Sequence, residues 1–583
     1  MSVSRIKCWL KCETRIFFHT STTGPNRMEP HRQKMQEPDD LSSCDFLSFA
    51  KSNFQNGEIC QFSRVPLTSS LLHCNNIDDR KASCAISVAI LRFMRDMGEP
   101  KFDEEDIMVS EVKETPQPID KAYASGTTFK RKVVSEKTQQ MSFTSHDIPP
   151  LIMMNRPTTN VEKIQFITSF GIRRQTLRDE IYCQICRQLI NNGSPTSYTR
   201  GWILLALCVG VFPPSDELLN YLRNFLKQGP GKFGEYCYSI LQRTLEIGSR
   251  TQPSTIVELE AVKSQSSLTL PVIFMDGTRK VFEVDPATTC AELCQLIKEE
   301  LGLKDIFGFS VFIEALNQVA NWGCGNESVL DAVSLAEQYA CSKTLNESGA
   351  WHLFFRKDLF APTENISIDK VATNLIYHQI VGGIRAEEYI CEQQEMIKIV
   401  AKRYYIENGP ELQENLLREV IQASFPPFVL ANSSEDELVS NVKSAFYASS
   451  RVQERSNVEV VQQDIVRYAA SNWFRDFSRI FDGFVSSGPK LPKVAVKIAF
   501  NSKRFQVLSS ETPDSPPLLS MGYSQIKKAT SVRKGMYLDP LLVLNTIRSQ
   551  TFSFRSVQAD TMNDLINHFL LYFKTPSSAG GDD

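Results

Sequence analysis

Apolar residues recur three or four apart along the first half of this chain and then, from about residue 268, two apart in short runs. In LSSCDFLSFAKSNF, Phe46, Phe49 and Phe54 fall at roughly helical spacing, and SCAISVAILRFMRDMG carries Ile86, Val88, Ile90, Leu91 and Met94 before Gly98-Glu99-Pro100 stops it. Residues 1–41 have mixed charge, Pro25 and Pro30, and no period, which predicts a disordered leader. Residues 101–156 are polar and aperiodic, the pattern of a long insertion between helices of one domain. Thr159 and Glu162 fit a capping box opening a helix through Ile164, Phe166 and Ile167. Leu177, Ile181, Ile185 and Leu189 then lie four apart as a stripe, ended by Asn191-Asn192-Gly193. RGWILLALCVGVF is apolar on all sides and predicts a central buried helix. Pro213-Pro214 breaks it, and Ser215 is placed to cap DELLNYLRNFLKQG.

After 268 the texture changes. LTLPVIFMDGTRKVFEV reads as two strands around Asp276-Gly277. Thr289 and Glu292 cap a helix whose face is Leu293, Cys294, Ile297 and Leu301, and Phe307, Phe309, Val311 and Ile313 then alternate as a half-buried strand. Hairpin, helix and strand in that order predict a ubiquitin-like β-grasp. Residues 364–487 return to amphipathic helices: DKVATNLIYHQIVGG, EQQEMIKIVAKRYYIENG, SSEDELVSNVKSAFYASS and VEVVQQDIVRYAASNWFRDFSRIFDGF. VAVKIAF, RFQVLSS, LLVLNTI and TFSFRSV predict strands, followed by a helix that Asp560 would cap and that carries Met562, Leu565, Ile566, Phe569 and Phe573. A small sandwich plugged by one helix is the plan of pleckstrin-homology-like domains.

Composition adds bounds. A chain of 583 residues exceeds a single core, and 42% hydrophobic residues are enough to fold most of it. A net charge of -3 excludes a dedicated nucleic-acid binder. The longest apolar run, Trp202 to Phe212, is too short to span a bilayer. The basic N-terminus, with Arg5, Lys7, Lys11 and Arg15 against Glu13, lacks the apolar stretch of a secretory signal but leaves a mitochondrial presequence open. The 15 irregularly spaced cysteines then read as reduced thiols of a cytoplasmic protein.

The order of β-grasp, helical bundle and PH-like sandwich resembles the FERM domain, and WHLFFRKDLF before NLIYHQIVGG is similar to its passage from first to second lobe. Upstream, LRDEIYCQICRQL, RGWILLALCVGVFPPS, YLRNFLKQGP and RTQPSTIVELEAVKSQ resemble a MyTH4 domain running into FERM. The pair occurs in tails of unconventional myosins, and VIFMDGTRK, KDIFGFSVFIEAL and VATNLIYHQIVGG are most similar to class VII. The fold implied is multidomain α+β: an all-α MyTH4 bundle over 42–255, then a FERM cloverleaf with a ubiquitin-like lobe (256–360), a helical lobe (361–487), a PH-like lobe (488–577) and a tail (578–583). The short, partly apolar join predicts that MyTH4 and FERM pack as one unit. No phosphate-binding loop of the G-x-x-x-x-G-K-[ST] kind is present, so a tail fragment, a separately encoded tail or an incomplete gene model is expected.

Candidate chemistry is sparse. Gly229-x-Gly231-x-x-Gly234 matches the dinucleotide fingerprint by letter, but it follows a helix rather than a strand and reads as a helix–helix turn. Cys183 and Cys186 lack a second Cys/His pair and read as small apolar core residues, as do Cys290 and Cys294. Arg178, Asp179 and Glu180 read as internal salt bridges and caps. No catalytic site, metal, cofactor or nucleotide is therefore expected. Residues 160–250 hold eleven Lys/Arg against seven acids. The MyTH4 resemblance implies that such a basic face, with Arg173, Arg174, Arg223, Lys227 and Lys232, docks on an acidic filament such as the microtubule; an ordinary solvated face is the alternative. The FERM resemblance implies capture of cargo or scaffold peptides beside a strand edge and the last helix, at Thr551, Phe552, Ser553, Phe554, Asn563 and Asn567. It also implies a phosphoinositide surface with Lys497, Lys503, Arg504, Lys527 and Lys528. The expected function is a cytoskeleton-associated adaptor or cargo-binding tail, with a membrane–cytoskeleton linker as the alternative.

Overall fold

The computed structural model describes residues 41–100 and 157–574, apart from 344–350, 454–456, 534–539 and eight single positions. The expected leader, the insertion at 101–156 and the tail at 578–583 lie outside the described residues. The chain divides into two compact units, one ending at Ser249 and the other beginning at Arg250.

The first unit is helical. It comprises α1 (Phe46–Asn53), α2 (Ile77–Met94), α3 (Asn160–Arg173), α4 (Arg178–Leu189), α5 (Pro195–Val209), α6 (Asp216–Lys227) and α7 (Gly231–Ile247). Thr159 and Glu162 form the expected reciprocal box at the start of α3, and Ser215 caps α6. The central helix α5 begins earlier than its apolar run, because Ser194 caps it and Pro195 takes a first-turn position that needs no N–H donor. From Gly201 to Val209 α5 is buried on every side. Helix α4 is buried well beyond its four-residue stripe, so its charged residues must find partners inside the protein. The glycine-rich segment is the α6–α7 turn: a Cβ on Gly229 would meet the Trp202 ring at 2.3 Å, and one on Gly234 would meet the Leu226 carbonyl at 2.5 Å.

The second unit opens with α8 (Ile256–Ser264), which a Thr255–Glu258 box caps. Its first lobe has strands β1 (Leu268–Phe274), β2 (Arg279–Val284), β3 (Phe309–Ala315), β4 (Gln318–Gly323) and β5 (Trp351–Lys357) in the order β2-β1-β5-β3-β4, with β1 and β5 parallel. Helices α9 (Cys290–Leu301) and α10 (Val329–Lys343) cover it. The β1–β2 hairpin turns at Gly277, whose φ of 85° suits glycine. Neither β4 nor α10 was apparent from the sequence pattern. The second lobe holds α11 (Lys370–Arg385), α12 (Gln393–Asn408), α13 (Glu414–Ser424), α14 (Pro427–Asn432), α15 (Glu435–Gln453) and α16 (Val458–Asn472).

The run from 458 to 484, expected to be one helix, is divided. Helix α16 stops at Asn472, and Arg479–Ser487 is β6, a strand of the third lobe. The reason is tertiary. Phe481 and Val485 point into the sandwich core while β6 pairs with two neighbours. That lobe continues with β7 (Ala495–Phe500), β8 (Arg504–Ser509), β9 (Leu519–Gly522), β10 (Ile526–Val532), β11 (Leu541–Thr546) and β12 (Thr551–Arg555), in the order β10-β11-β12-β6-β7-β8-β9. Helix α17 (Ala559–Lys574) plugs it with Met562, Leu565, Ile566 and Phe569. Asp560 sits inside the first turn of α17 rather than capping it, and bonds Arg533 at 2.9 Å.

Candidate functional site

The third lobe offers the clearest place for a partner. A strand accepts another chain only along an unpaired edge, where its N–H and C=O groups lack acceptors and donors. Strand β12, expected to be that edge, is internal: it pairs with β11 on one side and β6 on the other. Phe552 and Phe554 are buried core residues, and the Ser553 hydroxyl shares a 2.6 Å hydrogen bond with that of Ser487. Only Thr551 is exposed, with its hydroxyl donating to Asn545. The peptide-binding expectation for Phe552, Ser553 and Phe554 is therefore corrected.

The open edge beside the helix is β10, which among the described residues pairs only with β11. Helix α17 packs against β10 and β11, and the Arg533–Asp560 ion pair fastens its first turn beside the end of β10. Asn563 and Asn567 lie one turn apart on its outward flank, joined by a 3.2 Å hydrogen bond. The sequence pattern does not announce strand β10, because its register shifts between Ile526 and Lys528. The bulge leaves Lys527 and Lys528 exposed in succession between buried Ile526 and Ala529, which erases the alternation.

The five expected phosphoinositide residues do not share one setting. Lys497 pairs with Asp482 at 2.6 Å across the β6–β7 ladder, and the Lys503 ammonium donates to the Ser471 carbonyl of α16 at 2.8 Å. Arg504 is exposed at the start of β8, and Lys527 and Lys528 stand on the opposite edge strand.

In the helical unit, Arg223 is buried. Its guanidinium donates to Asn220 and Gln242, which removes it from the proposed basic face. Arg174 lies 3.8 Å from Asp79. Lys227 is exposed with its ammonium 5.0 Å above the Tyr238 ring, and Arg173 and Lys232 are exposed.

The charged triplet of α4 is turned inward and engaged by hydrogen bonds. Arg178 donates to the Gly171 carbonyl at 2.8 Å and to Ser249. Asp179 accepts from the Ser215 amide at 2.7 Å, bracing the cap of α6. Glu180 accepts from the amides of Leu71 and Leu72 and from Ser83 and Gln184, all within 2.9 Å.

Cys183 and Cys186 are fully buried, and burial pushes both thiols well above their ordinary range, the opposite of the thiolate a metal needs. No metal-like group of three His, Cys, Asp or Glu occurs among the described residues. Among those residues no helix is long and apolar enough to cross a membrane.

Comparison with known proteins fits this geometry. A MyTH4 domain model matches residues 164–261, an RA-like domain model 266–359, and a Myosin-X FERM PH-domain-like model 477–575. Myosin-VIIa of Drosophila melanogaster is 36% identical over 577 residues, covering 92% of this chain and 26% of that protein. Unconventional myosin-VIIb of Mus musculus is 34% identical over 498 residues, covering 84% and 23%. The chain thus spans about a quarter of the length of these curated relatives. Among solved structures, the human Myosin 7b C-terminal MyTH4-FERM domain in complex with the harmonin-a PDZ3 domain aligns with a TM-score of 0.56 and 20% identity, over 91% of this chain and 96% of that one. The MyTH4-FERM MF1 domain of Dictyostelium discoideum Myosin VII gives 0.61 and 19%, over 93% and 99%. At such identities these structures speak for the fold. Together with the domain matches and the class VII relatives, they identify the chain as a member of the MyTH4–FERM family, in the form of a class VII-like myosin tail.

Proposed function

We propose that this chain is a non-catalytic, cargo-binding adaptor of the cytoskeleton, which holds partner proteins through the third lobe of its FERM domain. The open β10 edge beside α17 carries this reading, since main-chain groups there are available for a further strand while the helix flank supplies side-chain contacts. The human relative captured with a harmonin PDZ domain makes a PDZ-containing scaffold the first partner to try. Hydrogen exchange of the whole chain with and without such a PDZ domain tests the proposal. Amides of 526–532 and of the α17 flank gain protection on binding; tight binding that leaves them unprotected refutes the β10 site.

Filament linkage is a separate part of the proposal. It rests on the exposed Arg173, Lys227 and Lys232 together with half-buried Arg174, without Arg223. Cosedimentation with microtubules weakens with salt, and weakens further in a Lys227→Glu, Lys232→Glu double variant. The membrane-linker alternative draws support from the consecutive exposed Lys527 and Lys528. Pelleting with phosphoinositide vesicles that is lost on replacing these two, with no microtubule pelleting, would favour it.

A further inference from the structure

Helix α17 turns one flank toward the open β10 edge. Asp560, Asn563, Asn567 and Leu571 follow one another at steps of three and four residues and so share a face. The Asp560–Arg533 pair at 2.9 Å sets that face beside the end of β10. Helix and strand run in opposite directions, because Tyr523, which precedes β10, packs its ring 4.6 Å from that of Phe569 near the other end of α17. The start of β10 therefore lies at the Asn567–Leu571 end of the flank.

The bulge decides what stands there. Lys527 and Lys528 are exposed in succession, where a regular strand would send one of them into the core. Neither has an ion-pair or hydrogen-bond partner among the described residues, unlike Lys497 on Asp482 and Lys503 on the Ser471 carbonyl. The carboxylates of the first half of α17 are already engaged, Asp560 by Arg533 and Asp564 by the Asn563 amide at 3.4 Å. The start of the edge thus presents two uncompensated positive charges on its outer face. On the helix side it presents Leu571, which is 64% exposed. A strand laid along this edge would point alternate side chains to the two faces.

We propose that the β10 edge selects an extended acidic segment, in which carboxylate residues alternate with apolar ones. The inference rests on the β10 reading and adds the chemistry of its occupant. Carboxylates on the outer face of the added strand meet Lys527 and Lys528 as cross-strand neighbours, and the apolar residue between them lies on Leu571. A basic segment would set like charges side by side on the same face. Because both lysines are exposed, the preference shrinks as salt rises.

The test titrates the full chain with acetyl-Thr-Glu-Val-Glu-Val-amide and with the same peptide carrying Gln or Lys in place of both Glu, following amide hydrogen exchange at 526–532. The Glu peptide protects these amides and binds about threefold to tenfold more tightly than the Gln peptide, the range of two exposed charge pairs, and the Lys peptide binds most weakly. In a Lys527→Gln, Lys528→Gln double variant the Glu and Gln peptides bind alike. Equal protection by all three peptides, or a Glu preference that survives in the double variant, overturns the acidic selection and leaves the edge reading standing. So does protection by a PDZ domain but by none of the peptides. Protection by neither PDZ domain nor peptide overturns both. Phosphoinositide vesicles are the remaining arm: pelleting that the double variant loses, with peptides that do not discriminate, assigns the two lysines to a membrane and overturns the peptide inference.

Discussion

Glu180 in the helical unit and Glu337 in the first FERM lobe are both carboxylates buried on helices, and their surroundings treat them differently. Glu180 meets four donors, two of them backbone amides of the segment that precedes α2. Glu337 accepts from the Ile256 amide at 2.8 Å and stands near Glu258, whose carboxylate is already committed to Arg250 at 2.7 Å. Arg250 also holds Asp331 at 2.9 Å, so one guanidinium serves two carboxylates and Glu337 is left as the third acid of the group. Burial is the largest influence on Glu337 and raises it to about 7, with Glu258 adding to the rise and the Ile256 and Val257 amides opposing it. The contrast shows that burial alone does not decide a carboxylate's role. The number of donors converging on it does: Glu180 is a fastening, whereas Glu337 is a titrating group in a structural joint.

Breaking the fastening should have the largest effect. Glu180→Leu strands four donors, and the denaturant midpoint of the helical unit should fall by an amount equivalent to ~3–5 kcal/mol. Next comes the pH response of Glu337. Its folded-state value lies above the ordinary carboxylate value, so near pH 6 the native state holds a proton that the unfolded chain has lost. Stability therefore falls as pH rises from about 5 through about 7, by up to ~2–3 kcal/mol. Glu337→Gln should flatten that slope in thermal unfolding followed between pH 5 and 8; an unchanged slope would assign the effect to another group.

A smaller effect separates two cations that look alike in sequence. Arg223→Met should cost ~1–3 kcal/mol because Arg223 is buried between α6 and α7, whereas Lys232→Met should stay within about 0.5 kcal/mol. Finally, Thr159→Ala and Thr289→Ala should each cost ~1 kcal/mol, since both open their helices with a reciprocal box. A much larger loss at either would mean that the threonine does more than cap.

These cases also mark what was legible in the sequence. Both threonine boxes, the Asp276-Gly277 turn and the buried α5 were apparent because their causes are local: a side chain three residues from an amide, a positive φ, a run of apolar residues. Strand β6 was hidden because Phe481 and Val485 pack against strands from elsewhere in the chain, and no local period announces that. Strand β10 was hidden by a bulge, and the central place of β12 follows from pairings with residues at 541–545 and 484–487. Arg223 and Lys227 lie four residues apart on one helix, yet only Lys227 reaches solvent. The family resemblance supplied the domain order, but not which strand carries the free edge.

Arg479, the first residue of β6, forms a buried pair with Asp358, just beyond β5, at 2.6 Å, and also donates to Ser310 of β3 at 3.0 Å. The third lobe is thus pinned to the first through a charge that water does not reach. This linkage decides how a pull on the third lobe would travel. A force applied to the third lobe would draw on the β-grasp through this linkage. Such a pin yields abruptly, because once parted the two buried charges keep only the neutral groups of Ser310, Asn321 and Cys324 as partners until solvent enters. Under stretching, the first and third lobes would then give way in one step rather than two.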